Sequence, residues 1–278
     1  MLMIREEQMA VFEQAVIRNF ERRVYEYLEP FFPDHYQVLG AQPMREIIHL
    51  GLQWAEQHSL ISERDVYLYL SLRFLLGRHF DEDPQWPWVA ELLKDEAPET
   101  AQMRITPIYD QAMNLLDRMI GPDNEYQRQT LSVLRQPQVF DSLPEAPSVG
   151  HRLLLLLQAL APQKYQALGE EALRNLVRRS YTAAKQYGLA AERSAMIYLA
   201  LAYVLGAGFD HDPLYPWAAA VLIDPALTDP TQKGNALYAA AQIQLAKCPP
   251  GCPRRADLSA ALQKLPTKPY RRIVERAD

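Results

Sequence analysis

The sequence predicts an all-α chain, organised as a tandem duplication of one multi-helix unit. Three observations lead there. Residues 33–93 align without a gap on residues 162–222 at a constant offset of 129, with 24 of 61 positions identical. Apolar residues in both copies recur near a period of 3.6. No segment shows period-two alternation bounded by hairpin dipeptides. A period of 129 far exceeds the roughly 20–50 residues of solenoid arrays, so each copy has the size of a domain.

Each element follows from its pattern. Met9, Phe12, Val16, Phe20, Val24 and Leu28 step by three or four, which predicts a long first helix ending at Pro30. In the first copy Met44, Ile47, Ile48, Gly51, Leu52 and Ala55 line one helical face, and Leu173, Leu176, Val177, Ser180, Tyr181 and Ala184 line the same face in the second. The run VYLYLSLRFLL alone would suit a strand. Its counterpart SAMIYLALAYVLGA is rich in Ala, a strong helix former and a poor strand former, so both are buried helices. Ser62 and Asp65 offer a capping box at the start of the first one. Gly77 and Gly206 sit near the two C-terminal ends, where Gly tolerates the left-handed conformation. Further helices are predicted over 108–120, 126–134, 236–246 and 258–265.

The stretch QPQVFDSLPEAPSVG holds three Pro and few helix formers, and reads as a linker. The predicted organisation is a first helical domain over 1–137, a Pro-rich linker over 138–150 and a second helical domain over 151–278 with a basic tail. The second domain has a shorter lead-in, HRLLLLLQAL, than the first. Charge divides along the same line: residues 1–140 carry 13 basic and 22 acidic side chains, and residues 141–278 carry 16 and 12.

Composition excludes several classes. The chain is 49% hydrophobic and 23% charged, which excludes a disordered chain. A net charge of -5 argues against a nucleic-acid binder driven by backbone charge. Only 11 Gly leave little material for phosphate-cradling loops. The start, MLMIREEQMAVF, lacks the basic-then-apolar form of a secretory signal. The longest apolar run, Ala195 to Leu205, is too short to span a membrane, which takes about 20 residues. The expected compartment is the cytoplasm. Cys248 and Cys252 sit in CPPGC without a second pair, so a Pro-rich turn is favoured over zinc, and a local disulfide over that span requires oxidation.

The most distinctive repeated string is FDxDPxxPW: Phe80, Asp81, Asp83, Pro84, Pro87 and Trp88, then Phe209, Asp210, Asp212, Pro213, Pro216 and Trp217. The paired Asp residues could serve as metal ligands or as an acid/base pair. The favoured reading is structural: Asp before Pro as a helix N-cap, with the Trp anchored in the core. The further oxygens and closing Glu of an EF-hand are missing. The repeated Arg45 and Arg174, and the repeated pairs Glu63-Arg64 and Glu192-Arg193, read as ion pairs fixing one helix on another. No HExxH, GxSxG, Walker, GxGxxG or CxxC motif is present, so neither a catalytic residue nor a metal or other cofactor is expected. Two features suit a binding surface. Trp86 and Tyr215 occupy variable positions inside the repeated turn, as exposed anchors or as local packing. The segment from Pro253 to Asp278, with Arg254, Arg255, Arg271 and Arg272, holds seven basic and three acidic residues, although a solvated end accounts for it as well.

The succession P-x-x-Y-x-x-L-G, then R-x-x-I/V, then E-R, then L-G-x-x-F-D-x-D-P-x-x-P-W-A resembles small helical proteins of Gram-negative bacteria. These are encoded beside type VI secretion effectors, their adaptor chaperones and the spike-tip proteins. The resemblance covers about 61 residues per copy and brings no catalytic residues. It implies a cytoplasmic co-chaperone that binds an adaptor chaperone or effector during loading onto the spike. The second copy departs from the motif in carrying Ser194 where the first has Asp65. The alternatives are an immunity protein that neutralises a secreted toxin, suggested by the acidic first half, and an enzyme using the repeated Asp pairs.

Overall fold

The computed structural model describes residues 6–94, 101–247 and 255–270. They form α-helices α1 (Glu6–Leu28), α2 (Pro33–Leu39), α3 (Ala41–Gln57), α4 (Glu63–Leu76), α5 (Pro87–Leu93), α6 (Ala101–Ile120), α7 (Glu125–Leu134), α8 (Val149–Leu160), α9 (Pro162–Leu168), α10 (Glu170–Gln186), α11 (Glu192–Leu205), α12 (Pro216–Leu222), α13 (Pro230–Lys247) and α14 (Arg255–Gln263). Among the described residues the only β-type pairing is an isolated bridge between Ser62 and Pro269. The fold class is all-α, and no helix is long and apolar enough to cross a membrane among the described residues. The bounds of α2, α3, α4 and α5 recur at an offset of 129 in α9, α10, α11 and α12.

The chain folds into two compact units. One comprises residues 6–71, 101–109 and 255–270, the other residues 72–94 and 110–247. The linker predicted over 138–150 falls within the second unit. Its start is a 3-10 turn, Pro137–Phe140, whose Phe140 is buried against Tyr238, so this Pro-rich stretch is partly core.

In the first unit α1 buries Phe20, Val24 and Leu28 on the face predicted by its spacing, and α3 buries Met44, Ile47 and Ile48. Val11 and Phe12, one turn or more upstream, are exposed. Asp65 N–H donates to Ser62 Oγ at 3.1 Å, which caps α4 as predicted. The segment after α14 returns to this cap: Glu63 N–H donates to Lys268 O, and the Tyr270 ring stacks on Phe20 at 4.5 Å. That aromatic overlap explains why a polar, Pro-containing C-terminal stretch is ordered here.

In the second unit α11 is the central helix. Eleven of its 14 residues are buried, so its near-uniform apolar sequence reflects contact on all sides. α8, α10 and α13 pack around it. α8 starts on a true cap, with Ser148 Oγ accepting from His151 N–H.

The α3–α4 and α10–α11 turns are built differently. The turn after α10 has Gly188 at φ +77°, whereas the corresponding residue after α3 is Ser59 at φ +58°. A left-handed L-residue costs about 1–2 kcal/mol, and no side-chain hydrogen bond of Ser59 offsets it. Ser59→Gly is therefore expected to stabilise the protein by about 0.5–1 kcal/mol in urea denaturation. An unchanged or lower midpoint would contradict this account of the turn.

Candidate functional site

The repeated FDxDPxxPW turns follow α4 and α11, and both lie in the second unit, where they meet. α4 ends at Gly77 (φ +103°) and α11 at Gly206 (φ +102°). A Cβ on Gly77 would lie 2.9 Å from Leu205 O and 3.2 Å from Gly206 Cα, and a Cβ on Gly206 would lie 3.0 Å from Leu76 O. The two backbones thus touch where only glycine fits, and glycine is also needed for the conformation.

Each turn then sends its second Asp across to the other. Asp83 Oδ2 accepts the Ala207 N–H at 2.7 Å, and Asp212 Oδ2 accepts the Arg78 N–H at 3.1 Å. Each remaining oxygen closes its own turn: Asp83 Oδ1 accepts from Gln85 N–H at 2.9 Å, and Asp212 Oδ1 from Leu214 N–H at 3.0 Å. These four bonds form two equivalent pairs at the offset of 129. The predicted N-cap role is therefore corrected. The helices α5 and α12 begin at the second proline, Pro87 and Pro216, with Trp86 and Tyr215 as caps. Asp83 and Asp212 are three residues too early to cap them. Their Oδ1 bonds to Gln85 and Leu214 are Asx turns instead, and each is overlaid by a β-turn in which Trp86 N–H donates to Asp83 O and Tyr215 N–H to Asp212 O, both at 2.8 Å.

Both carboxylates are buried, and burial pushes both carboxyls above their ordinary value of 3.8. The amide donors and nearby cations oppose that shift: Lys164 for Asp83, and Arg73 and Arg78 for Asp212. Lys164, which sequence reasoning missed, donates to Tyr203 O, with its ammonium 4.6 Å from the Tyr203 ring centroid and 5.5 Å from that of Trp86. Lys164 is half-buried, and burial lowers its pKa from 10.5 to about 8. The corresponding residue of the first unit, His35, is buried and is pushed down to about 4 for the same reason.

The remaining predicted residues are placed as follows. Trp86 is the buried indole, 3% exposed, because the Asx turn aims it inward beside Lys164; it is no surface anchor. Trp88 and Trp217 are half-buried. Tyr215 is half-buried, with its ring 6.4 Å from that of Trp217. Pro84 and Pro213 are half-buried beside the two Asp residues. Asp210 accepts from Tyr198 O–H at 2.8 Å and pairs with His211 at 3.0 Å, while Asp81 is partly exposed. Among the described residues no three His, Cys, Asp or Glu side chains gather as a metal site requires. Arg254, Arg271, Arg272, Cys248 and Cys252 lie outside the described residues, and Arg255 begins α14.

Of the repeated charges predicted to fix one helix on another, Glu63 and Glu192 form such ion pairs, whereas Arg45 and Arg174 do not. Arg23 on α1 meets Glu63 at 2.6 Å, and Arg152 on α8 meets Glu192 at 3.3 Å. Arg193 reaches Asp141 at 3.0 Å and Asn235 at 2.7 Å. Arg45 lies over the Tyr25 ring, and Arg174 pairs with Glu170 one turn before it.

No family model matches the chain, and no solved structure does. Over 87 residues, 31% of its length, the chain is 31% identical to "Accessory protein VasW" of Vibrio cholerae serotype O1. The matched stretch spans 29% of that protein, so the similarity is partial and distant.

Two tests follow from the geometry. Gly206→Ala is expected to cost about 2 kcal/mol or more, whereas Gly169→Ala, with φ +80° but nothing within 4 Å of its Cβ, costs about 1 kcal/mol. Equal losses would show that the backbone contact carries no energy. The second test is pH-dependent. With a folded pKa of about 8 against 10.5, Lys164 binds its proton more weakly in the folded state. Its cost is full below pH 8 and is relieved as pH rises from 8 towards 10.5. Relative to Lys164→Met, the wild type is expected to gain about 1–2 kcal/mol between pH 7 and 10. A pH-independent difference would place the ammonium in solvent.

Proposed function

We propose that this chain is a protein-binding accessory factor of a type VI secretion system, a co-chaperone that assists an adaptor chaperone in loading an effector. The observation that carries this reading is the partial similarity to the accessory protein of Vibrio cholerae. The resemblance of the repeated motif to helical proteins of type VI effector clusters points the same way. Physical features support binding over catalysis. The buried Asp83 and Asp212 of the motif spend their oxygens on backbone amides, which leaves them no part in proton transfer. We read the common offset of the helix bounds, of the ion pairs and of the crossed Asp bonds as the mark of a tandem duplication. A duplicated scaffold frees one copy's surface to change while the other keeps the ancestral packing.

Co-expression with the adaptor chaperones and effectors of the same gene cluster, followed by affinity purification, tests the reading. Recovery of an adaptor or effector in stoichiometric amount is expected. Recovery of neither would contradict it, and so would rescue of cells from a neighbouring toxin without any loading of that toxin.

A further inference from the structure

The two copies differ at one place in a way that folding does not require. In the first unit, α1 and α3 are joined across their exposed faces by Glu21 and His49, 2.5 Å apart. The second unit has the same helix pair in α8 and α10. The register carries over at the offset of 129: Val24 and Leu28 are buried as Leu153 and Leu157 are, and the Arg23–Glu63 ion pair recurs as Arg152–Glu192. In that register Gly150 stands for Glu21 and Arg178 for His49. The second unit has an arginine where the first has His49, and no carboxylate where the first has Glu21.

The difference has no backbone cause. Gly150 lies in the first turn of α8 and is not among the residues of positive φ. A Cβ there would meet only Ser148 Oγ, at 3.8 Å, an ordinary contact. What occupies the space instead is a cleft of about 250 Å³ lined by Gly150, His151, Leu154, Arg174 and Arg178, among others. Arg178 is exposed, and no described residue pairs with its guanidinium. It also lines a second, shallower depression along α10 with Arg179 and Thr182. Leu154 and Val177 form an apolar floor beneath the charges.

We propose that this cleft receives an acidic side chain from a partner protein, a Glu or Asp on a helical segment that lies along α8 and α10 and supplies the carboxylate the second copy lacks. The proposal rests on the protein-binding reading above and names its surface. The incoming carboxylate meets Arg178 in a paired, fork-like contact, at the position where one carboxylate oxygen of Glu21 meets His49 Nδ1 in the first unit. The partly positive N-terminal turn of α8 adds to the attraction. Apolar side chains flanking the acid cover Leu154 and Val177.

The test uses the full chain and a fluorescein-labelled helical peptide carrying Glu at positions i and i+4, with a Gln version as control. Fluorescence anisotropy is expected to show the Glu peptide binding about fivefold more tightly than the Gln peptide. Arg178→Ala should remove that preference. Gly150→Glu, which restores the internal carboxylate, should remove it too and leave the melting temperature unchanged or raised. His49→Ala should leave binding as in wild type. Equal affinity for the two peptides, or full binding by Arg178→Ala with wild-type circular dichroism, overturns the proposal. Purification with cluster partners separates the two claims. If wild type and Arg178→Ala recover an adaptor equally, the cleft is wrong and the accessory reading stands. If neither recovers one but the Glu preference depends on Arg178, the cleft stands and the accessory reading falls.

Discussion

Two exchanged carboxylate–amide bonds, Asp83 to Ala207 and Asp212 to Arg78, hold the second unit at its centre. They form where two helix ends meet with no side chain between them, at Gly77 and Gly206. The residues around this point follow from it. A helix end leaves carbonyls and a reversing chain leaves amides, and buried amides need acceptors. An Asp placed six residues after each glycine supplies one acceptor to the opposite turn and one to its own. The prolines hold the next turn, and the aromatic residue between them faces inward or along the edge. Burying two carboxylates is costly, and Lys164, Arg73 and Arg78 offset part of that cost with positive charge nearby.

Much of this fold was legible in the sequence. The apolar spacing of α3 and α10 and the Ala content of α11 specify helices without tertiary information, and Ser62 announces its cap three residues ahead. The motif residues were legible as a repeat. Their partners were not. Asp before Pro satisfies the local rule for an N-cap, and nothing in nine residues says that the carboxylate bonds to an amide 124 positions away. Trp86 illustrates the same limit. Its variable position inside the repeated turn left an exposed ring and local packing both open, and the structure buries it beside Lys164.

The arrangement of the units was the least legible. The offset of 129 suggested a boundary near residue 140, whereas residues 72–94 pack with residues 110–247. Sequence similarity between two segments does not say what either packs against. The Gly150 and Arg178 differences, in contrast, were present in the sequence and became readable only once the recurring Arg–Glu pairs showed that α1 and α8 share a register.

Native-state hydrogen exchange at the Arg78 and Ala207 amides is the most direct measurement of the crossed bonds. Both amides lie just past helix ends, where exchange is ordinarily fast. The account predicts protection near the global unfolding free energy for both, lost together in Asp83→Ala and Asp212→Ala proteins that remain helical. Exchange of either amide at the rate of an open loop in the intact protein would contradict it.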